Sequence, residues 1–226
     1  MTPAAPTCYA VHPVQFYANR SQLVETVCDF ISTGFELGEH AVLAIERSNE
    51  AAVRAELKAR GYRSENASFL CAEIVAEEIS DGDSICPKAF DRLLGRAVSI
   101  AAARSKTGKA RVFSEIVDVL LQSGRDRQAE ELEALWVRLS MRVPMRILCG
   151  YRLDLLDSRC WEISRQHDLV MGCSELTYRG VEIEHSIEQA LGVQAGMLRS
   201  IIADEPALRG LPFPQAALIW LGKHMP

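Results

Sequence analysis

The chain has 226 residues, 48% of them hydrophobic, so it is long enough to bury one large core. Its formal net charge is −5, and no run approaches the roughly 18 apolar residues needed to span a membrane. The Lys and Arg residues are scattered, which excludes the concentrated basic stripe of a nucleic-acid-binding protein. The first residues lack the pattern of a signal peptide. We therefore expect a cytoplasmic protein that contacts neither nucleic acid nor membrane directly.

The first predicted unit is a strand followed closely by a helix. Residues 12–17 form an apolar, strand-like run, and an amphipathic helix follows behind the candidate caps Asn19 and Ser21, with Gly34 where the helix would stop. The connection over residues 18–23 contains no glycine and is too short to cradle a phosphate through backbone N–H groups. The sequence therefore predicts that the protein does not bind ATP–Mg²⁺.

Strands and helices continue to alternate as far as residue 149. Short apolar runs predict strands, and longer runs of helical periodicity predict helices, with a polar loop around residues 80–84. The predicted strands are 41–45, 68–71, 111–113 and 145–149, and the predicted helices are 49–60, 87–106 and 126–141. This alternation predicts an α/β fold: a mostly parallel sheet with helices on both faces.

The rest of the chain changes character. A short helix over 158–168 and a short strand at 169–170 are predicted first. A helical appendage is then expected over 182–226, because apolar residues recur at helical spacing and a final helix fits 215–224; the recurring residues are Ile183, Ile187, Leu191, Leu198 and Ile201. Such a stripe must be covered. It packs permanently on the core, or it forms a surface for a homodimer or another partner.

The carboxyl ends of the predicted strands indicate a site, because α/β sheets bind their ligands there. We expect one rim, lined by Phe16, Tyr17, Glu46, Arg47, Ser114, Glu115, Asp118, Cys149 and Tyr151. Aromatic walls with a few polar groups suit a small, partly apolar ligand. Glu115 is solvated or, if it is buried, paired with Arg47, Arg111 or His12, and Asp118 either contributes to the rim or caps a helix.

The seven cysteines indicate reduced thiols. Their number is odd and their spacing is wide, there is no Cys-x-x-Cys pair, and the histidines form no His-x-x-x-His pair. We therefore expect neither structural disulfides nor a structural zinc site. Cys149, at a strand end, is interpreted in three ways: as a ligand contact, as a redox-sensitive thiol, or as ordinary core packing.

Six segments, taken in order, resemble one known family. They are His12-Pro-Val-Gln-Phe-Tyr17, Gly34-x-x-x-Gly38-Glu39, Glu115-x-x-Asp118, Leu132-Glu133-x-x-Trp136, Leu148-Cys-Gly-Tyr151 and His167. Together they look like the methanogen/methylotroph sensory (MEDS) domain, here over residues 8–178. The resemblance implies a RecA-like core without a phosphate loop, acting as a sensor in transcriptional regulators and histidine kinases, with small hydrocarbon-type ligands suggested for the family.

The chain departs from the family pattern at two points. Ser114 stands where the family usually has glycine, which affects how closely a ligand can approach that strand end. No kinase, PAS or helix-turn-helix module follows in the sequence. We therefore expect signalling through a separate protein, such as a histidine kinase or a transcription regulator, or through the helical tail.

The sequence favours a non-catalytic sensor that needs no metal or other cofactor. Its expected ligand-binding residues are His12, Phe16, Tyr17, Glu115, Asp118, Cys149, Tyr151 and His167. The alternatives are a protein–protein interaction module without a ligand and an enzyme, either a residual nucleotide hydrolase or a hydrolase using Cys149 and His167. The absent phosphate loop and the absent nucleophile turn count against the two enzymes.

Overall fold

The computed structural model describes the chain over residues 12–152 and, beyond these, at 163, 169–171, 189, 191–205, 208 and 213–224. In this part of the chain a parallel sheet of six strands has helices on both faces. The predicted α/β class is confirmed. The RecA-like relationship implied by the resemblance stays a prediction.

The sheet has the strand order β3-β2-β6-β7-β1-β8, and neighbouring strands are parallel. A separate antiparallel hairpin, β4-β5, replaces the predicted polar loop. The strands are β1 Pro13–Phe16, β2 His40–Ile45, β3 Ala67–Cys71, β4 Ser80–Asp81, β5 Ser84–Ile85, β6 Ala110–Ser114, β7 Met145–Tyr151 and β8 Leu169–Met171. Every strand predicted from an apolar run is present, within two residues at each end.

The helices described by the structure cover the two faces unequally. They are α1 Arg20–Glu36, α2 Arg47–Ala59, α3 Ala72–Ile79, α4 Pro87–Phe90, α5 Arg96–Arg104, α6 Ile116–Gln122, α7 Asp126–Ser140, α8 Gln194–Asp204 and α9 Phe213–His224. Helices α1 and α2 bury their apolar sides on one face of the sheet, which we call the α1 face. Helices α3 to α9 contribute to the buried cluster on the opposite face, which we call the α7 face.

Helix α1 begins as predicted but ends later. The Asn19 side chain accepts a hydrogen bond from the Gln22 N–H at 3.1 Å, which satisfies one of the free donors of the first turn. The helix continues through Gly34, where the lack of a side chain leaves room for Arg111: an added Cβ would lie 2.7 Å from the Arg111 Nε. The reversal falls at Gly38, whose φ of +72° suits glycine.

Two further differences concern helices. The predicted helix 87–106 is interrupted at Asp91–Gly95 by a wider π-type turn that ends in glycine, a poor helix former. Helices α3 and α6, of eight and seven residues, are absent from the sequence prediction. They are too short for periodicity to reveal, because that pattern needs a window of about 11 residues.

The tail helices add to the α7 face. Leu198, Ile202 and Ile219 belong to the same buried cluster as the core residues of that face. Leu198 is buried whereas Ile201 is 43% exposed, because three helical steps place them about 60° apart around the axis. Of the predicted stripe, Leu198 packs on the core while Ile201 is partly exposed, and Ile183 and Ile187 lie outside the described residues.

Candidate functional site

The predicted rim residues lie at the carboxyl edge, but they divide between the two faces of the sheet. Side chains alternate along a strand. Phe16, Cys149 and Tyr151 belong to the α7 face, whereas Tyr17 belongs to the α1 face. The register of β1 on β7 places Val14 beside Cys149 and Phe16 beside Tyr151. The edge therefore carries two polar clusters in place of one rim.

The first cluster surrounds Glu115 and is called the Glu115 cluster. The Tyr17 hydroxyl donates to Glu115 Oε1 at 2.6 Å, the Asn49 amide donates to the same oxygen at 2.9 Å, and the Glu46 N–H donates to Oε2 at 2.9 Å. Gly150 leaves the space for this arrangement, since an added Cβ would lie 2.9 Å from the Phe113 ring. Three neutral donors thus hold the carboxyl group, and the predicted cationic partners do not.

The electrostatics of this cluster follow from its burial. Burial raises the pKa of Glu115 to about 7, although the hydrogen bonds from Tyr17, Glu46 and Asn49 act in the opposite direction. Burial, reinforced by the Glu115 charge, also raises the pKa of Tyr17 far above its usual range. Near neutral pH, Glu115 therefore exchanges a proton while Tyr17 remains a neutral donor.

Asp118 is a further buried carboxyl group at this edge, and hydrogen bonds from Gln122 and from the Arg152 backbone act to lower its pKa. It lies in the first turn of α6 and is fully buried, and burial raises its pKa to about 6. Gln122 Nε2 donates to its Oδ1 at 3.2 Å, whereas its Oδ2 accepts no hydrogen bond from any residue that the structure describes. Nearby, Glu46 forms an ion pair of 3.7 Å with the half-exposed Arg152. Asp118 is thus a buried acceptor that a ligand could satisfy.

The second cluster lies on the α7 face and is called the His12 cluster. His12 Nε2 lies 3.1 Å from Cys149 Sγ and 3.6 Å from Glu133 Oε2, and the Tyr151 hydroxyl donates to Glu133 Oε1. Glu133 reaches this point from α7, whose Trp136 packs edge-on against Phe90 with ring centroids 5.2 Å apart. Side chains from the residue before β1, from β7 and from α7 therefore meet at one buried point.

Burial dominates the acidity of this cluster. It raises the pKa of Cys149 well above its usual range, and the charge of Glu133 adds to the effect. Burial and the same charge raise the pKa of Tyr151. The Cys149 thiol is thus protonated and inert unless something displaces its proton, so its nucleophilic reactivity is low in this state. Among the described residues, one group of side chains could bind a metal ion. It consists of His12, Glu133 and Cys149, whose donor atoms lie within 4.8 Å of one another.

The other predicted site residues play smaller parts. Phe16 packs against Tyr151 with ring centroids 6.0 Å apart, Ser114 accepts a hydrogen bond from the Ile116 N–H, and Arg47 is exposed. His167 lies outside the described residues. Asn49 is a polar contributor that sequence reasoning missed. The one sequence feature that could have indicated Asn49 is its position as a polar residue three places after Glu46, on the side of α2 that faces the sheet.

A separate cleft of about 480 Å³ opens away from both clusters. Aromatic and basic side chains line it, including Phe35, Tyr62, Phe69, Arg54 and Lys58. Arg54 lies over the Phe69 ring, 3.7 Å from its centroid, and forms an exposed ion pair with Glu50. None of the predicted rim residues belongs to this cleft.

Comparison with known proteins connects the geometry to a family. In the part of the chain described here, no helix is both long and apolar enough to cross a membrane. No match to a curated protein was found. A family model described as the MEthanogen/methylotroph, DcmR Sensory domain matches residues 11–167, which is more than half of the chain and includes both clusters. The resemblance inferred from sequence motifs is confirmed, and the chain belongs to the MEDS family of sensory domains.

Proposed function

We propose that the chain is a non-catalytic sensor that binds a small, partly apolar molecule at the carboxyl edge of the sheet. The observation that carries this proposal is the buried Asp118 Oδ2, which lacks a hydrogen-bond donor among the described residues. A buried acceptor without a donor costs about 1–3 kcal/mol, and a ligand with an N–H or O–H group removes that cost. Binding of such a ligand therefore stabilises the conformation in which the Asp118 carboxyl group accepts its hydrogen bond.

The charges at this edge define the ligand further. Glu46, Glu115 and Asp118 are close enough for the Glu46 charge to act on the pKa of both buried carboxyl groups. A second anion here would meet three carboxyl groups in a poorly solvated place. We therefore expect a protonated amine, an alcohol or another hydrogen-bond donor without negative charge, with a short apolar body, and not a phosphate or carboxylate.

A matched series of probes tests the binding step. Propylamine, n-propanol and propionate share a three-carbon body and differ in the head group. We expect the amine or the alcohol to raise the melting temperature of the full chain, and propionate to leave it unchanged. Asp118→Asn removes an acceptor and should abolish the difference, while the same substitution at exposed Asp83 should preserve it. Equal stabilisation by all three probes, or by none, contradicts the proposal.

The output of the sensor is proposed to pass through the tail. Val193, Met197 and Ile201 are 95%, 68% and 43% exposed and recur every four residues, so they form an apolar strip on the outer side of the α8 segment. A homodimer, a histidine kinase or a transcription regulator could cover this strip. Ligand control then requires that bound and free states differ in affinity for that partner.

Light scattering after size-exclusion chromatography tests the homodimer. Met197→Ser with Val193→Ser should leave stability within about 0.5 kcal/mol, since both side chains are exposed, yet should dissociate the dimer. Leu198→Ser is the matched control, because it opens a cavity and should destabilise by about 2–5 kcal/mol. A wild-type chain that stays monomeric at every concentration excludes the homodimer and leaves the separate signalling protein.

A Cys/His-dependent hydrolase is the second candidate, because His12 lies within hydrogen-bond distance of Cys149. Its geometry does not suit the reaction. In a catalytic triad the base uses one ring nitrogen for the nucleophile and the other for the acid. Here His12 Nε2 is the atom that approaches both Cys149 and Glu133, and the thiol is fully buried. A fluorogenic ester or thioester assay should therefore show no turnover that depends on Cys149.

A further inference from the structure

We propose that His12, Glu133 and Cys149 bind a divalent transition metal ion of the zinc class. The three side chains offer an imidazole nitrogen, a carboxylate oxygen and a sulfur, which are the donor types that zinc uses. Their donor atoms lie within 4.8 Å of one another, close enough for one ion to reach all three. The proposal does not depend on the nature of the sensed ligand.

The direction of the contacts supports a shared centre. His12 Nε2 faces both Cys149 Sγ at 3.1 Å and Glu133 Oε2 at 3.6 Å, so the three groups form a triangle and not a relay. In tetrahedral coordination, metal–donor bonds of about 2.0–2.3 Å separate neighbouring donors by about 3–4 Å. The two separations from His12 Nε2 fall in this range. Only small side-chain movements are therefore needed to admit an ion.

Charge balance also favours a divalent ion. The site is buried, and an uncompensated charge in such a place costs several kcal/mol. A Cys149 thiolate and a Glu133 carboxylate carry two negative charges, which one M²⁺ ion cancels while His12 stays neutral. Binding then displaces the thiol proton, so metal affinity should fall at low pH.

The surrounding residues hold the donors in place. The Tyr151 hydroxyl donates to Glu133 Oε1, while Glu133 Oε2 is the oxygen that faces His12. Hydrogen bonds of this kind orient metal ligands, and their loss typically weakens metal binding by about 10–100-fold. Tyr151 is therefore a positioning residue. The three donors among the described residues leave one position of a tetrahedral site to a further ligand.

Cobalt titration tests the proposal directly. The full chain, treated with a chelator and kept reduced, should bind one equivalent of Co²⁺ and develop a near-ultraviolet thiolate-to-cobalt absorption. One equivalent of Zn²⁺ should remove that absorption. Cys149→Ser should abolish it, whereas Cys28→Ser, at a buried free thiol on the α1 face, should keep it.

Two further variants keep the test decisive if Cys149→Ser fails to fold, as judged by circular dichroism. Glu133→Gln should retain the charge-transfer absorption and weaken Co²⁺ binding at least tenfold, and Tyr151→Phe should weaken it about 10–100-fold. A protein that binds no Co²⁺, or whose Co²⁺ affinity is unchanged by Glu133→Gln and by Tyr151→Phe, overturns the proposal. The cluster would then be a hydrogen-bonded group that only supports the fold.

Discussion

The Glu115 cluster and the His12 cluster lie at the same edge of one sheet, and both are buried. Their carboxyl groups nevertheless have different hydrogen-bond partners. Glu115 accepts from three neutral donors, whereas the partners of Glu133 include a hydroxyl, an imidazole and a thiol. The first set can only solvate a carboxyl group. The second can also give up protons and accept a cation. Burial alone therefore does not define a site, because the partners determine its chemistry.

The largest effect should come from removing the acceptor of the Glu115 cluster. Glu115→Ala leaves the Tyr17 hydroxyl, the Asn49 amide and the Glu46 N–H buried without their acceptor. At pH 5 the native carboxyl group is mostly protonated, so no cost of burying its charge is relieved. We expect a loss of about 4 kcal/mol in urea unfolding at that pH. A loss below about 1 kcal/mol would show that water replaces the carboxyl group.

The second-largest effect should appear in the pH dependence of the free energy of unfolding, which distinguishes the two clusters. Burial raises the pKa of Glu115 from 4.5 to about 7, so the folded state holds the proton more tightly than the unfolded state. The resulting stabilisation is complete below pH 4.5 and is lost as the pH rises through about 7. This contribution is about 3 kcal/mol at most.

Urea unfolding between pH 4.5 and 8 measures this contribution. Glu115→Gln cannot titrate and should flatten the profile, while Asp83→Asn, at an exposed carboxylate, should leave the wild-type slope. Asp118, whose pKa is raised to about 6, titrates in both proteins and cancels in the comparison. Parallel profiles for wild type and Glu115→Gln would place the native pKa of Glu115 near its ordinary value.

Much of this edge follows from the sequence, because apolar runs place the strands and a parallel sheet brings their ends together. The partner of Glu115 does not follow. Arg111 was a candidate, but it lies at the other end of β6, about 13 Å along the strand, where it pairs with Glu39 at 2.7 Å. Whether Asn49 reaches Glu115 depends on how helix α2 packs on the sheet. The division into two clusters depends on the registers of β1, β6 and β7, which side-chain patterns do not encode at single-residue precision.

The two clusters can also be compared by removing one tyrosine hydroxyl from each, beginning with Tyr151. Tyr151→Phe keeps the ring against Phe16 and removes the hydroxyl that donates to Glu133. A hydrogen bond to a charged acceptor contributes about 1.5–3 kcal/mol, so we expect a loss of about 2 kcal/mol in the chelator-treated protein. Urea unfolding at pH 7 measures it. A neutral effect would mean that the other partners of Glu133 satisfy it without the Tyr151 hydroxyl.

Tyr17→Phe should have the smallest effect. Glu115 Oε1 still accepts from the Asn49 amide when the Tyr17 hydroxyl is lost, and Oε2 still accepts from the Glu46 N–H. One neutral donor among three contributes about 1 kcal/mol, half of the loss expected for Tyr151→Phe. The substitution should also raise the pKa of Glu115, because the Tyr17 hydrogen bond lowers it. The pH profile should therefore move to higher pH while its shape is kept. If Tyr17→Phe costs more than Tyr151→Phe, redundancy among donors does not protect the Glu115 cluster, and the distinction between the two clusters fails.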